Sequence, residues 1–157
     1  MSSFVYRKDI DGRKKSIEEL VETHQLLPHP EGGFYRETYR SACSTGIFYL
    51  LLKGQKSSFH RIKSDEMWHF YGGDEISIVE INSNGAIKET FLNKDNPQYV
   101  VPANIWFGAY LPENSEYAFT GCTVAPAFDF KDFEMGNKEK MLQEFPKAKV
   151  MIEKLLG

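Results

Sequence analysis

Apolar residues recur along the chain with two different periods, which divide it into a helical opening, a long strand-rich middle and a helical close. Ser16 and Glu19 have capping-box spacing, and Ile17, Leu20, Val21, His24 and Leu27 share one stripe of a helix that Pro28 stops. A polar bend with two glycines, His29-Pro30-Glu31-Gly32-Gly33, leads into an extended run from Phe34 to Arg40. Short alternating or apolar runs then predict strands at Ile47 to Leu52, Ser57 to Ile62, Glu66 to Tyr71 and Glu75 to Ile81. Four more follow at Ala86 to Leu92, Tyr99 to Val101, Trp106 to Leu111 and Tyr117 to Val124, and Asn84-Gly85 marks a hairpin turn. Helical spacing returns at Asn137 to Phe145 and Pro146 to Leu156, with Met141, Leu142, Phe145, Met151, Ile152 and Leu155 on one side.

So many short strands at near-regular spacing predict an antiparallel sandwich or barrel. At 157 residues and 41% hydrophobic content the chain suits one domain, 1–157, with its barrel at about 33–135. A net charge of -3 and no basic run longer than Arg13-Lys14-Lys15 argue against a nucleic-acid partner. The charged opening MSSFVYRKDIDGRKK lacks the apolar core of a signal peptide, and the longest apolar run, Ile47 to Leu52, is far short of a membrane span. A soluble cytoplasmic protein without membrane partners is expected. Cys43 and Cys122 are expected as reduced thiols, and nothing in the sequence around either one would lower its pKa enough to make a nucleophile.

Gly54, His60, Glu66 and Gly73 fall on the cupin pattern G-x5-H-x-H-x3/4-E-x6-G, with Ile62 at the second histidine. Together with HPEGGFYRETYRS, VPANIW and GCTVAPAFDFKDFE, in that order between His29 and Glu134, this resembles the cupin-5 subfamily of the jelly-roll superfamily. The resemblance implies a mainly β fold, a cupin double-stranded β-helix with an N-terminal helix and C-terminal helices, usually dimeric, with a ligand cavity inside. Two departures stand out. Pro102 to Phe107 has Asn104 where the family has glycine and Phe107 at the last metal-ligand position, and Ala127 replaces a more usual glycine. Neither Ile62 nor Phe107 offers a metal a lone pair, so no metal and no other cofactor is expected.

Strand alternation puts Ser58, His60 and Ile62 on one face, and the family pattern turns that face into the barrel. Glu66, Trp68 and Phe70 share the inward face of the next strand, so the Glu66 carboxylate is expected against His60. His69 falls on the opposite face unless a bulge re-aims it, and Asp65 suits a cap for the turn after Lys63-Ser64. Trp68 and Phe107 are assigned to the pocket. Arg36 and Arg61 have the donor fork that suits a phosphate or carboxylate, and Asp129 could set a carboxylate against a barrel histidine.

The FHRI and VPANIWFGAYL...GCTVAP stretches are also similar to parts of the dTDP-sugar epimerases, another jelly-roll group. That similarity implies a metal-independent sugar isomerase or epimerase, with His60 as base, Glu66 or Asp129 orienting it, Tyr49 or Tyr71 returning the proton, and a sugar nucleotide as a ligand. A non-catalytic module holding a small ligand is the alternative reading. A metal-dependent oxygenase is a weaker third, since it needs ligands beyond His60 and Glu66.

Overall fold

A computed structural model of the protein describes residues 16–157, so the charged opening segment lies outside the described residues. Helix α1 (Ile17–His24) begins at the expected capping box, the Ser16 side chain accepting from the Glu19 backbone N–H. It ends four residues before Pro28, because Gln25 turns left-handed with φ 52°. Leu27, expected on the helical stripe, therefore lies beyond the helix. It sits in the two-residue strand β1 (Leu27–Pro28) and is exposed.

Ten further strands follow: β2 (Phe34–Arg40), β3 (Thr45–Leu52), β4 (Lys56–Arg61), β5 (Asp65–Gly73), β6 (Ile76–Ile81), β7 (Ile87–Leu92), β8 (Gln98–Val101), β9 (Trp106–Tyr110), β10 (Tyr117–Ala125) and β11 (Glu134–Met135). They form two antiparallel sheets, ordered β1-β2-β3-β10-β5-β8 and β11-β4-β9-β6-β7. The β6–β7 hairpin turns at Asn82 to Ala86, where Gly85 has φ 82°. Helix α2 (Lys138–Glu144), capped by Asn137, and helix α3 (Lys149–Leu156), entered through a 3-10 turn at Pro146–Ala148, close the chain.

Three apolar layers follow from strand alternation. Tyr49, Trp68, Ile78, Phe107 and Cys122 fill the space between the sheets. Phe59, Val79 and Trp106 face the other way and pack under α2 and α3 through Met141, Phe145, Ile152 and Leu155. Leu50, Tyr117 and Phe119 cover the outer face of the six-stranded sheet beneath α1. With both outer faces partly plated by helices, the open region left between the sheets is at one end, near the ends of β4, β5 and β10.

In the loop before β9, Asn104 stands where the family has glycine and adopts the left-handed backbone, φ 66°, that asparagine tolerates better than most residues. Its N–H donates to the Ile62 carbonyl at 2.8 Å. Asp65 does not cap its own turn. It accepts from the Ala103 backbone N–H at 2.8 Å and ties the two cupin motifs together.

Candidate functional site

The bend before β2 is pressed so tightly against the sheets that only glycine fits. A Cβ on Gly32, at φ 112°, would stand 2.0 Å from the Lys56 carbonyl oxygen, and one on Gly33, at φ 82°, 2.7 Å from that of Leu50. The His29 N–H donates to the Gly33 carbonyl and the Gly32 N–H back to His29, closing the turn. Tyr49 adds its hydroxyl to the Gly32 carbonyl at 2.6 Å. This closure drives the Glu31 side chain between the sheets.

Strand β4 supplies His60. The β4–β9 register slips between Ser57 and His60, so both side chains face the barrel while Phe59 faces the helices. Ser57 is accordingly buried beside Glu31 and Tyr49, whereas Ser58, expected inward, is half-buried and contributes its backbone. The Ser58 carbonyl lies 2.7 Å from His60 Nδ1, and Glu31 Oε2 lies 2.9 Å from the same nitrogen. A carbonyl only accepts, so Nδ1 carries a hydrogen that it gives to the Ser58 carbonyl, with the Glu31 carboxylate beside it as the ion-pair partner and Nε2 unclaimed by either.

From the opposite sheet, β5 brings Glu66 to the same space. The residue is half-buried, yet its Oε2 is fully enclosed and has no hydrogen-bond partner. Cys122 of β10 lies against the Glu66 carboxyl. A cavity of about 160 Å³ opens here, lined by His29, Glu31, His60, Ile62, Glu66 and Cys122, with Tyr35, Ile47 and Val124 extending its wall. Residues 128 to 133 cross its mouth as a strap, and the Phe133 ring stacks on His60 at 5.3 Å between centroids. Phe107 backs the imidazole at 4.2 Å.

Burial favours the neutral form of each ionisable group here, and the pairings decide which of them resist it. For His60, burial works to lower the pKa, but the Glu31 charge and hydrogen bond, with Glu66 and the Ser58 carbonyl, lift it to about 9. Burial would raise Glu31, yet the His60 imidazolium holds it below the ordinary carboxylate value. Glu66 lacks such a partner. Burial drives it up to about 7, His60 pulling back and Glu31 adding to the rise. His29 is lowered by burial, only partly opposed by Glu31, and its Nδ1 accepts from the Glu31 backbone N–H at 3.1 Å. Near neutral pH the floor therefore holds a carboxylate–imidazolium pair, a neutral imidazole and a carboxyl group close to its midpoint.

Of the residues singled out from sequence, His60 and Glu66 meet at the cavity. Trp68, Phe107 and Tyr49 are buried between the sheets behind it, the Tyr49 hydroxyl engaged by Gly32 and its pKa raised well above normal by burial and the Glu31 charge. Tyr71, His69 and Arg36 lie on the outer face of the six-stranded sheet; β5 keeps its alternation through Phe70, so His69 is not turned inward, and its one irregularity against β10 falls at Tyr71. Tyr71 packs with Phe48 and Phe119, His69 meets Thr123 and Gln98, and Arg36 donates to the His24 carbonyl at the end of α1. Arg61 pairs with Glu134 and stacks on Trp106. Asp129 is exposed on the strap, where it caps a 3-10 turn at Phe130–Asp132 and accepts from the Lys131 N–H. Glu31 and His29, the two groups that complete the floor, went unassigned from sequence. Their only local signal was a histidine and an acid beside two glycines.

The metal familiar in cupins does not fit this donor set. Ile62 and Phe107 stand at two ligand positions, and neither side chain offers a lone pair. Among the described residues no group of three His, Cys, Asp or Glu is placed to hold a metal ion. No described helix is long and apolar enough to cross a membrane.

The cupin-5 family model, described as cupin superfamily (DUF985), matches residues 18–136, and the chain belongs to that family. Its relatives include the uncharacterized protein YML079W of Saccharomyces cerevisiae, 26% identical, the match covering 74% of this chain and 73% of that protein. Protein SO0799 from Shewanella oneidensis is similar in structure, with a TM-score of 0.86 and 33% identity over 90% of this chain and 98% of that one. A hypothetical protein from Leishmania major superposes with a TM-score of 0.84 at 25% identity, with the same coverage of both chains. Oxalate decarboxylase from Bacillus subtilis shares the fold at 16% identity and a TM-score of 0.60, over 82% of this chain and 36% of its own length.

Proposed function

We propose that this cupin-5 protein is a metal-independent sugar isomerase or epimerase that moves a proton at a carbon next to a carbonyl. The observation that carries the reading is the buried His60–Glu31 pair, Nδ1 to Oε2 at 2.9 Å, facing an enclosed Glu66 oxygen that has no protein partner. Glu31 keeps His60 protonated at neutral pH, which changes the roles expected from sequence. Glu66, with a pKa of about 7, takes the proton from carbon, and His60 serves the carbonyl oxygen as acid. The C–H electron pair moves into the C–C bond as the carbonyl electrons move to oxygen, where His60 supplies a proton. For the isomer, Glu66 returns the proton to the former carbonyl carbon while the hydroxyl on the first carbon gives its proton to the now neutral His60 and becomes the new carbonyl. For the epimer, the intermediate turns over, Glu66 returns the proton to the other face of the first carbon, and the enol hydroxyl gives its proton back to His60.

Deuterium incorporation into candidate sugars in heavy water is the test. Exchange should follow a bell, rising through about pH 7 as Glu66 ionises and falling through about pH 9 as His60 deprotonates. His60→Asn and Glu66→Gln should each lower it by a factor of roughly 100 or more. Unchanged exchange in both variants would sink the assignment. The second reading, a non-catalytic binding module, is favoured by the same partnerless Glu66 oxygen, and binding without exchange in the wild type would select it. In either reading the chain works as a homodimer, as its cupin-5 kinship suggests.

A further inference from the structure

The size of the cavity, the pairing of charges at its mouth and the aromatic strap over it all constrain what enters. A volume of about 160 Å³ lies below the roughly 300 Å³ at which pockets for drug-sized ligands begin. The enclosed part has no room for a nucleotide, which would have to lie outside the mouth, against the rim. At the mouth, Arg40 binds Glu37 through Nε and Nη2 and donates Nη1 to the Phe128 carbonyl. Along the strap, Arg61 pairs with Glu134, Lys63 with Asp132 and Lys131 with Asp129. Each of these four cations faces a carboxylate, so the rim offers a phosphate dianion no net positive field.

The strap adds an apolar surface. Phe128, Phe130 and Phe133 form a cluster with centroids 4.8 to 6.4 Å apart, and Phe130 is 54% exposed although it lines the cavity. Exposing a large ring at the mouth of a polar-floored cavity leaves its face free for a ligand, and the negative face of a phenyl ring suits the polarised C–H bonds on one side of a sugar. The strap is held by the Phe128 N–H to Thr45 Oγ1 and by pairing of β11 with β4, so its rings stand at fixed positions above His60.

We infer that the site takes a small phosphate-free hydroxycarbonyl compound of free-sugar size, with one face seated on Phe130 and Phe133 and a hydroxyl donating to Glu66. This rests on the proposed isomerase reading for the carbonyl but not for the binding, so the two are separable. Saturation-transfer NMR on the full chain tests it with D-xylose, D-xylulose, D-glucose and D-fructose against D-fructose 6-phosphate and UDP-glucose. At least one free sugar should give signals, and neither phosphorylated probe should. Phe130→Ala, at a ring exposed enough not to challenge folding, and Phe133→Leu, which keeps bulk but removes the aromatic face, should each weaken binding about threefold to tenfold. No signal from any free sugar, a preference for the phosphorylated probes, or wild-type binding in both variants would overturn the inference. Free-sugar binding with no deuterium exchange would leave it standing while sinking the isomerase reading.

Discussion

Glu31 sets the charge of His60, and its removal has two readable consequences. In Glu31→Gln the burial of the imidazole is no longer opposed by its nearest carboxylate, so the His60 midpoint should fall from about 9 toward or below 6.5, followed by NMR of the imidazole carbons. A midpoint unchanged in the variant would show that Glu31 does not hold the proton. The pH dependence of stability has a definite sign as well. The raised His60 pKa makes a contribution that is full below 6.5 and lost as pH climbs through about 9. Glu66, raised from 4.5 to about 7, contributes in the same sense, fully below 4.5 and lost as pH passes 7. The lowered His29 pKa works the other way below pH 6.5, so thermal midpoints should decline most clearly from about pH 6.5 to pH 9, and Glu66→Gln, which mimics the protonated acid, should make them rise more steeply up to about pH 7. None of this was legible at Glu31 itself, since a glutamate in a polar Gly-rich bend reads as a solvated loop residue until the loop is packed.

At the scale of elements, two irregularities of backbone build the floor. The slip in the β4–β9 register turns Ser57 rather than Ser58 inward beside His60, which an uninterrupted two-residue period could not foresee. The Gly32-Gly33 bend is the other. Gly32→Ala would place a methyl 2.0 Å from the Lys56 carbonyl at a φ that alanine avoids. Backbone strain alone should cost about 1–3 kcal/mol in denaturant unfolding. Because the bend aims Glu31, the same variant should lower the His60 midpoint, and an unperturbed His60 in a destabilised protein would separate the bend from the site. By contrast His69 and Arg36 follow simple alternation to the outer face, where α1 and β10 give them partners.

For the whole molecule, the open question at the surface is the edge of the six-stranded sheet. Strand β1 pairs only with Phe34 and Tyr35, so the rest of β2 to Arg40 carries no neighbour on that side, and Leu27 and Tyr39 stand exposed beside it. An edge of this length invites pairing with a second copy. Light scattering at micromolar concentration should give twice the 18.1 kDa chain mass. A mass of one chain would remove the homodimer from the proposal.

The sequence by itself determined the elements and the inward positions of His60 and Glu66, because helical and strand periods are local properties and the cupin spacing fixes which strand face meets the core. Helix ends and short strands shifted by a few residues where a single dihedral, such as that of Gln25, decided the boundary. Only the tertiary structure decided that Glu31 pairs with His60, that the Phe128 to Phe133 strap covers the cavity, and that Glu66 Oε2 is enclosed without a hydrogen bond. Those contacts join segments far apart in the chain. Their energetics depend on burial and on which charges become neighbours once the sheets close, and neither quantity is carried by any local stretch of residues.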